Sequence, residues 1–205
     1  MSELTTAVAK KRVAEAIAVI EKSTSAEIVV MMRPDSGTYR HADFLAGGIG
    51  ALLYLCAFLY HPDPFDFTYF PLEQAACFVL VALACSHLPW LRRPLSGRAT
   101  RERNVTLAAK AMFVDRGITK TRSRTGVLVY LSAFERDAAL VLDLGLDPKR
   151  LGDSLATAKA ALREAARLGD ADAFMKALQL LGACLAAEYP PEEGDVDELP
   201  NEVAA

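Results

Sequence analysis

Two stretches decide the fold: Phe44 to Tyr60 reads FLAGGIGALLYLCAFLY, and Ala75 to Leu91 reads AACFVLVALACSHLPWL. Each is seventeen residues without a formal charge. At a helical rise of about 1.5 Å per residue, each spans roughly 26 Å, the short end of what crosses a bilayer core. Neither carries the polar stripe that a helix on the surface of a globular domain needs. Gly47, Gly48 and Gly50 would each cost about 1 kcal/mol against alanine in a water-exposed helix, whereas small residues let membrane helices approach closely. Gly47 and Ala51 make a small-xxx-small pair.

The flanks point the same way. Arg33 and Arg40 precede the first block, and Arg92, Arg93, Arg98, Arg101 and Arg103 follow the second. The connection between them carries Pro62, Asp63, Pro64 and Asp66 and no lysine or arginine. Positive charge on both outer flanks predicts a multi-pass hairpin in the inner (cytoplasmic) membrane of the cell, with both ends cytoplasmic. Tyr54, Tyr60, Phe70 and Trp90 include aromatics placed for an interfacial belt. Glu73 and His87 fall near the two boundaries, where water reaches them. The alternative is a helical hairpin buried in a large water-soluble core. The rest of the chain offers too little amphipathic surface to wrap one.

Working outward, residues 4–22 place Val8, Val13, Ile17 and Ile20 at helical spacing, and Glu27 to Arg33 is a continuous apolar run of strand length. Beyond the hairpin, residues 99–116 read as a helix ending near Gly117. Gly126 to Ser132 and Asp137 to Asp143 read as two strands joined by the tight turn Phe134 to Arg136. Helices over 151–167 and 171–188 and an acidic, proline-bearing tail complete the chain. The expected organisation is one discontinuous α/β domain over 1–41 and 95–189. A transmembrane hairpin over 42–94 (about 44–60 and 72–91) is inserted after its first strand, and the tail covers 190–205. A helix between the first two strands suggests a parallel crossover and a sheet covered on both faces.

Composition excludes several classes. A net charge of −3 and a pI near 5.7 argue against a nucleic-acid binder, which needs a basic face. Cys56, Cys77, Cys85 and Cys184 make no C-x-x-C pair, so neither a zinc ribbon nor a disulfide framework is indicated. Lys10, Lys11 and Arg12 lead into Glu15 and Glu21 without an apolar stretch, so no signal peptide is expected. No phosphate-binding glycine loop is present. His41, His61 and His87 all sit by the apolar blocks, which leaves the α/β domain without a histidine base.

The segment Thr24 to Val30 resembles the opening strand of TPM domains. Arg124 to Ser132, then Glu135-Arg136 and Val141 to Leu146, are similar to their central hairpin. Tyr189-Pro-Pro and Asp195 to Asn201 resemble the ending of a bacterial membrane-bound branch of that family. The resemblance implies a three-layer α/β/α domain with a Rossmann-like sheet. It also implies roles in photosystem repair, weak acid phosphatase activity, metal binding in some members, and attachment to or maturation of membrane complexes. Many members carry a signal peptide, and this chain departs from that.

Glu27, Asp35, Asp143, Asp147 and Asp153 lie near strand ends, where α/β sheets place ligands. Glu27, Asp143 and Asp147 are the candidates to hold a divalent cation, Ca²⁺ or Mg²⁺. Arg122, Arg124 and Arg136 are candidates for an anion, although arginines beside a membrane also face headgroups or carboxylates. Two functions follow as expectations. One is a non-enzymatic binding or assembly module, with the bilayer and a membrane complex as partners. The other is a weak metal-assisted acid phosphatase.

Overall fold

The computed structural model describes residues 6–61 and 67–191. The start of the first expected helix, the proline- and aspartate-bearing connection through 62–66 and the acidic tail from 192 onward, with its resemblance at Asp195 to Asn201, lie outside the described residues. The elements in order are α1 (Ala7–Glu21), β1 (Glu27–Arg33), α2 (Arg40–Tyr60), α3 (Phe70–His87), α4 (Pro89–Leu95) and α5 (Arg98–Asp115). They continue with a 3₁₀ turn (Ile118–Lys120), β2 (Gly126–Ser132), β3 (Asp137–Leu142), α6 (Pro148–Leu168) and α7 (Ala171–Glu188). The chain forms two compact units, one of Met1–Ser36 with Glu102–Ala205, the other of Gly37–Arg101.

The first unit is organised by a three-stranded sheet in the order β1-β2-β3. β1 and β2 run parallel, from Glu27 beside Gly126 to Arg33 beside Ser132. β3 returns antiparallel, with Leu142 opposite Val127 and Asp137 opposite Ser132. Alternation along the strands splits the core. Ile28, Val30, Val127, Val129 and Leu131 pack with Ile17 of α1, Leu155 and Leu162 of α6, and Phe174 and Leu181 of α7. Val29, Met31, Leu128 and Tyr130 face Val105, Ala109 and Phe113 of α5 and Ile118. Side chains buried on both faces are why β1 and β2 read as unbroken apolar runs.

The fold is not the expected three-layer Rossmann-like one. Among the described residues the chain is 67% helical, with seven α-helices and one small mixed sheet, a helix-dominated fold. A Rossmann-like sheet grows by repeated parallel crossovers. This chain makes one, between β1 and β2, and then turns back through a hairpin. After β3 the apolar residues recur at helical rather than strand spacing, so they form α6 and α7, and among the described residues no further strand extends the sheet.

The second unit is a helical hairpin followed by a short helix. α2 and α3 are both long and apolar enough to cross a membrane. Their contact is close because Gly47 lies against the Phe78 carbonyl and Gly50 against the Val81 side chain. Phe58 and Phe70 meet at 4.3 Å between ring centroids, Tyr54 Oη donates to Glu73 at 2.5 Å, and Gln74 Nε2 donates to the Ala51 carbonyl at 2.8 Å. At the other end, Arg92 of α4 pairs with Asp43 at 2.7 Å and stands 5.9 Å from the Tyr39 ring centre. The second apolar block does not stay one helix to Leu91. Leu88 is extended because Pro89 follows it, and Pro89 opens α4.

Candidate functional site

Three residues share one end of the sheet. Glu27 opens β1 beside Gly126, which opens β2, and the Asp143 amide donates to the Gly126 carbonyl at 2.9 Å. Strand alternation turns both carboxylates toward the α5 face, as for Val29 and Val141. Glu27 is 9% and Asp143 4% exposed. One Asp143 oxygen accepts the Leu144 amide at 2.8 Å and faces the Arg124 guanidinium at 3.7 Å. Its other oxygen, Oδ2, is buried without a hydrogen-bond partner among the described residues.

The walls of this corner are two short loops. Arg124 takes a left-handed conformation, φ 57°, and its Nη1 donates to the Thr119 carbonyl at 3.2 Å. The Gly145 amide then donates to the Arg124 carbonyl at 2.8 Å. A Cβ on Gly145 would meet the carbonyls of Ser123 and Arg124 at 2.4 and 2.6 Å, so only glycine lets the loops stack. On the sheet side, Thr125 Oγ1 donates to the Ser25 carbonyl at 2.9 Å.

Asp147 has a different task. It caps α6 by accepting the Lys149 amide at 2.9 Å, and its own amide donates to Tyr189 Oη at 2.7 Å. Among the described residues, no group of three or more His, Cys, Asp or Glu side chains is arranged to hold a metal ion. A hard cation takes about six to eight oxygens, and no chemistry of a bound cation is assigned to this corner. Asp153 is exposed on α6, and Asp35 precedes Ser36 in the segment leaving β1.

The arginines also separate. Arg122 and Arg124 lie in the loop before β2, while Arg136 (φ 52°) lies in the turn after it. Seven residues of strand put them roughly 20 Å apart, too far to hold one small anion.

The opposite end of the sheet holds a polar cluster that spacing did not reveal. Glu135 is buried; it accepts the Ser36 amide at 2.9 Å and the Ser132 hydroxyl. Ser36 Oγ lies 3.1 Å from Tyr130 Oη, and burial pushes the Tyr130 phenol above its ordinary value. The Ala133 and Phe134 amides donate to the carbonyls of Arg33 and Pro34 at 2.9 and 2.8 Å. The cluster ties the exit of β1 to the β2–β3 turn. The signal available in the sequence was Ser132-x-x-Glu135 at a strand end.

No family model matches the chain, and no curated protein matches it. Among solved structures it is similar to the NMR structure of the BA42 protein from the psychrophilic bacterium Bizionia argentinensis. The TM-score is 0.59, at 19% identity, over 100% of this chain and 99% of that one. What the two have in common at that identity is the fold.

Proposed function

We propose that this chain is a membrane-anchored binding module of TPM-like type that helps to assemble or regulate a membrane complex, with no catalytic step of its own. The observation that carries the reading is the surface of the hairpin. α2 turns Gly47 and Gly50 toward Phe78 and Val81 of α3, and the two helices expose Leu53 (65%) and Leu80 (66%), with Leu45, Leu52 and Leu83 also uncovered. Only 28% and 6% of their most apolar windows are buried, which does not suit the core helices of a water-soluble protein. Contiguous apolar surface of this size needs an apolar solvent, and a helical hairpin satisfies its own backbone there. The flanking arginines orient it with both termini in the cytoplasm, in a multi-pass inner-membrane arrangement. That leaves the first unit, built from both flanks, as the part that meets other proteins. The TPM resemblance of Thr24–Val30 and of the β2–β3 hairpin supports a role in attachment to membrane complexes.

The test is cysteine labelling in sealed vesicles, with Ser2→Cys and Ala204→Cys introduced separately. Both are expected to react from the cytoplasmic side only. Labelling on opposite sides, or release of the protein by a carbonate wash, overturns the anchor. Purification in mild detergent should then recover a reproducible membrane protein, and recovery of the bait alone counts against the binding role.

A second reading, a weak acid phosphatase, is favoured by the burial of Glu27 and Asp143 together at a strand end. For the binding module, protein supplied with Mg²⁺ or Ca²⁺ is expected to release no phosphate from a generic phosphomonoester above background. Release that disappears in Asp143→Asn would decide for the phosphatase.

A further inference from the structure

We propose that the free edge of β3 is a docking site for an extended, acidic segment of a partner protein, which adds to the sheet as a fourth strand. The proposal rests on the binding-module reading and names the surface and the kind of partner.

β3 is the last strand of the sheet, and its register fixes which groups face outward. The bond from the Asp143 amide to the Gly126 carbonyl makes that pair a hydrogen-bonded one. The bonded pairs then recur at Leu128–Val141 and Tyr130–Ala139. The amides and carbonyls of Ala138, Leu140 and Leu142 therefore point away from β2. Ala138 is answered locally, since its amide donates to its neighbour's carboxylate, Asp137 Oδ1, at 2.9 Å. Leu140 and Leu142 present an unpaired edge among the described residues. The other edge of the sheet is guarded, because Glu21 accepts the Ile28 amide at 2.9 Å.

An edge strand is commonly blunted by a charge, a proline or a bulge of its own. From Ala138 to Leu142, β3 reads AALVL and has none of these. Its outer side opens instead into a groove of about 360 Å³, with Lys110 of α5 on one wall and Lys159 and Arg163 of α6 on the other. No carboxylate lines it. Arg163 is engaged by Asp137 at 3.1 Å, and no bond or ion pair of Lys110 or Lys159 is present among the described residues. An apolar floor, unpaired backbone and lysines on both walls suit one ligand chemistry. That ligand is an extended peptide alternating apolar and acidic side chains, with main-chain bonds for affinity and charge for selection.

The probe is a fluorescent decapeptide alternating valine and glutamate, added to the full chain in detergent micelles. A valine–lysine decapeptide serves as its counterpart. Saturable binding of the acidic peptide is expected, with slowed hydrogen exchange in residues 138–142. Affinity should fall at least about fivefold in Lys110→Glu/Lys159→Glu, and also at high salt. Both lysines are exposed, so this variant should keep its circular dichroism. Equal binding of the basic peptide, or binding without protection of β3, overturns the proposal. So does tighter binding by a chain ending at Pro191, which would give the edge to the chain's own acidic end. A membrane partner recovered equally by wild type and variant overturns the edge assignment and leaves the binding module standing. Failure to recover any partner, with no peptide binding, removes both.

Discussion

Gly145→Val is expected to lower the melting temperature of the sheet-bearing unit by roughly 10 °C, from a cost of about 3 kcal/mol. The reason is local and has no flexible outlet. A Cβ at this position would stand 2.4 Å from the Ser123 carbonyl and 2.6 Å from that of Arg124, and both are main chain rather than movable side-chain ends. The loop cannot simply withdraw. The Gly145 amide is bonded to the Arg124 carbonyl, and the Asp143 amide is bonded to Gly126 just beyond. Moving it would also disturb Arg124 beside the buried Asp143 carboxylate, whose Oδ2 already lacks a partner among the described residues. Valine adds β-branched bulk to that clash. The control is the next residue along: Leu144 is 85% exposed, so Leu144→Ala should stay within about 0.5 kcal/mol of wild type. Thermal unfolding of both variants, followed by circular dichroism in the same detergent, makes the comparison. A Gly145→Val protein melting within two or three degrees of wild type would falsify the account of this corner.

The same corner shows how far the sequence could be read. Apolar runs bounded by turn residues marked β1, β2 and β3, and the short gap from Phe134 to Arg136 required an antiparallel return. Those assignments put Glu27 and Asp143 near strand ends, and the register that sets them on either side of Gly126 came from the structure. Asp147, expected as a cation ligand, could have been read as a cap instead, since an aspartate directly before a proline suits an N-cap followed by the first helical residue. Arg136 could have been parted from Arg122 and Arg124 by counting the residues of β2. The architecture was not legible in the same way. The Rossmann-like sheet came from resemblance, while the chain contains strand-length apolar runs for only three strands and spends its remaining apolar residues on helices. Two other features were invisible for a geometric reason. The cluster of Ser36, Tyr130 and Glu135 joins positions nearly a hundred residues apart. The groove beside β3 depends on the space left between α5 and α6, which no periodicity records.

Within the hairpin, Gly47→Leu is expected to open the contact between α2 and α3, while Gly48→Leu leaves it intact. The two glycines are neighbours in sequence and opposites in space. A Cβ on Gly47 would meet the Phe78 carbonyl at 2.8 Å and the Phe78 ring at 3.0 Å, whereas Gly48 has nothing within 4 Å. In the lipid proposed for this hairpin, the helices gain nothing from hiding apolar surface. Their association rests on close packing and a few polar bonds. Separating them by one side chain forfeits the packing, and it strains the polar contacts at both ends. Those are Arg92 to Asp43 at one end, and Tyr54 to Glu73 with Gln74 to Ala51 at the other. The ion pair matters most, since Asp43 is 8% exposed and losing its partner leaves a carboxylate poorly solvated, a change worth about 3 kcal/mol or more. Oxidative cross-linking of Ala51→Cys with Gln74→Cys, in a chain whose four native cysteines are replaced, reads the separation directly. The Gly47→Leu chain should cross-link at least about tenfold more slowly than its parent, and the Gly48→Leu chain at the parental rate. Equal slowing by both substitutions would mean that leucine acts through helix propensity or lipid contact, and the glycine-to-Phe78 packing would lose its role in holding the hairpin closed.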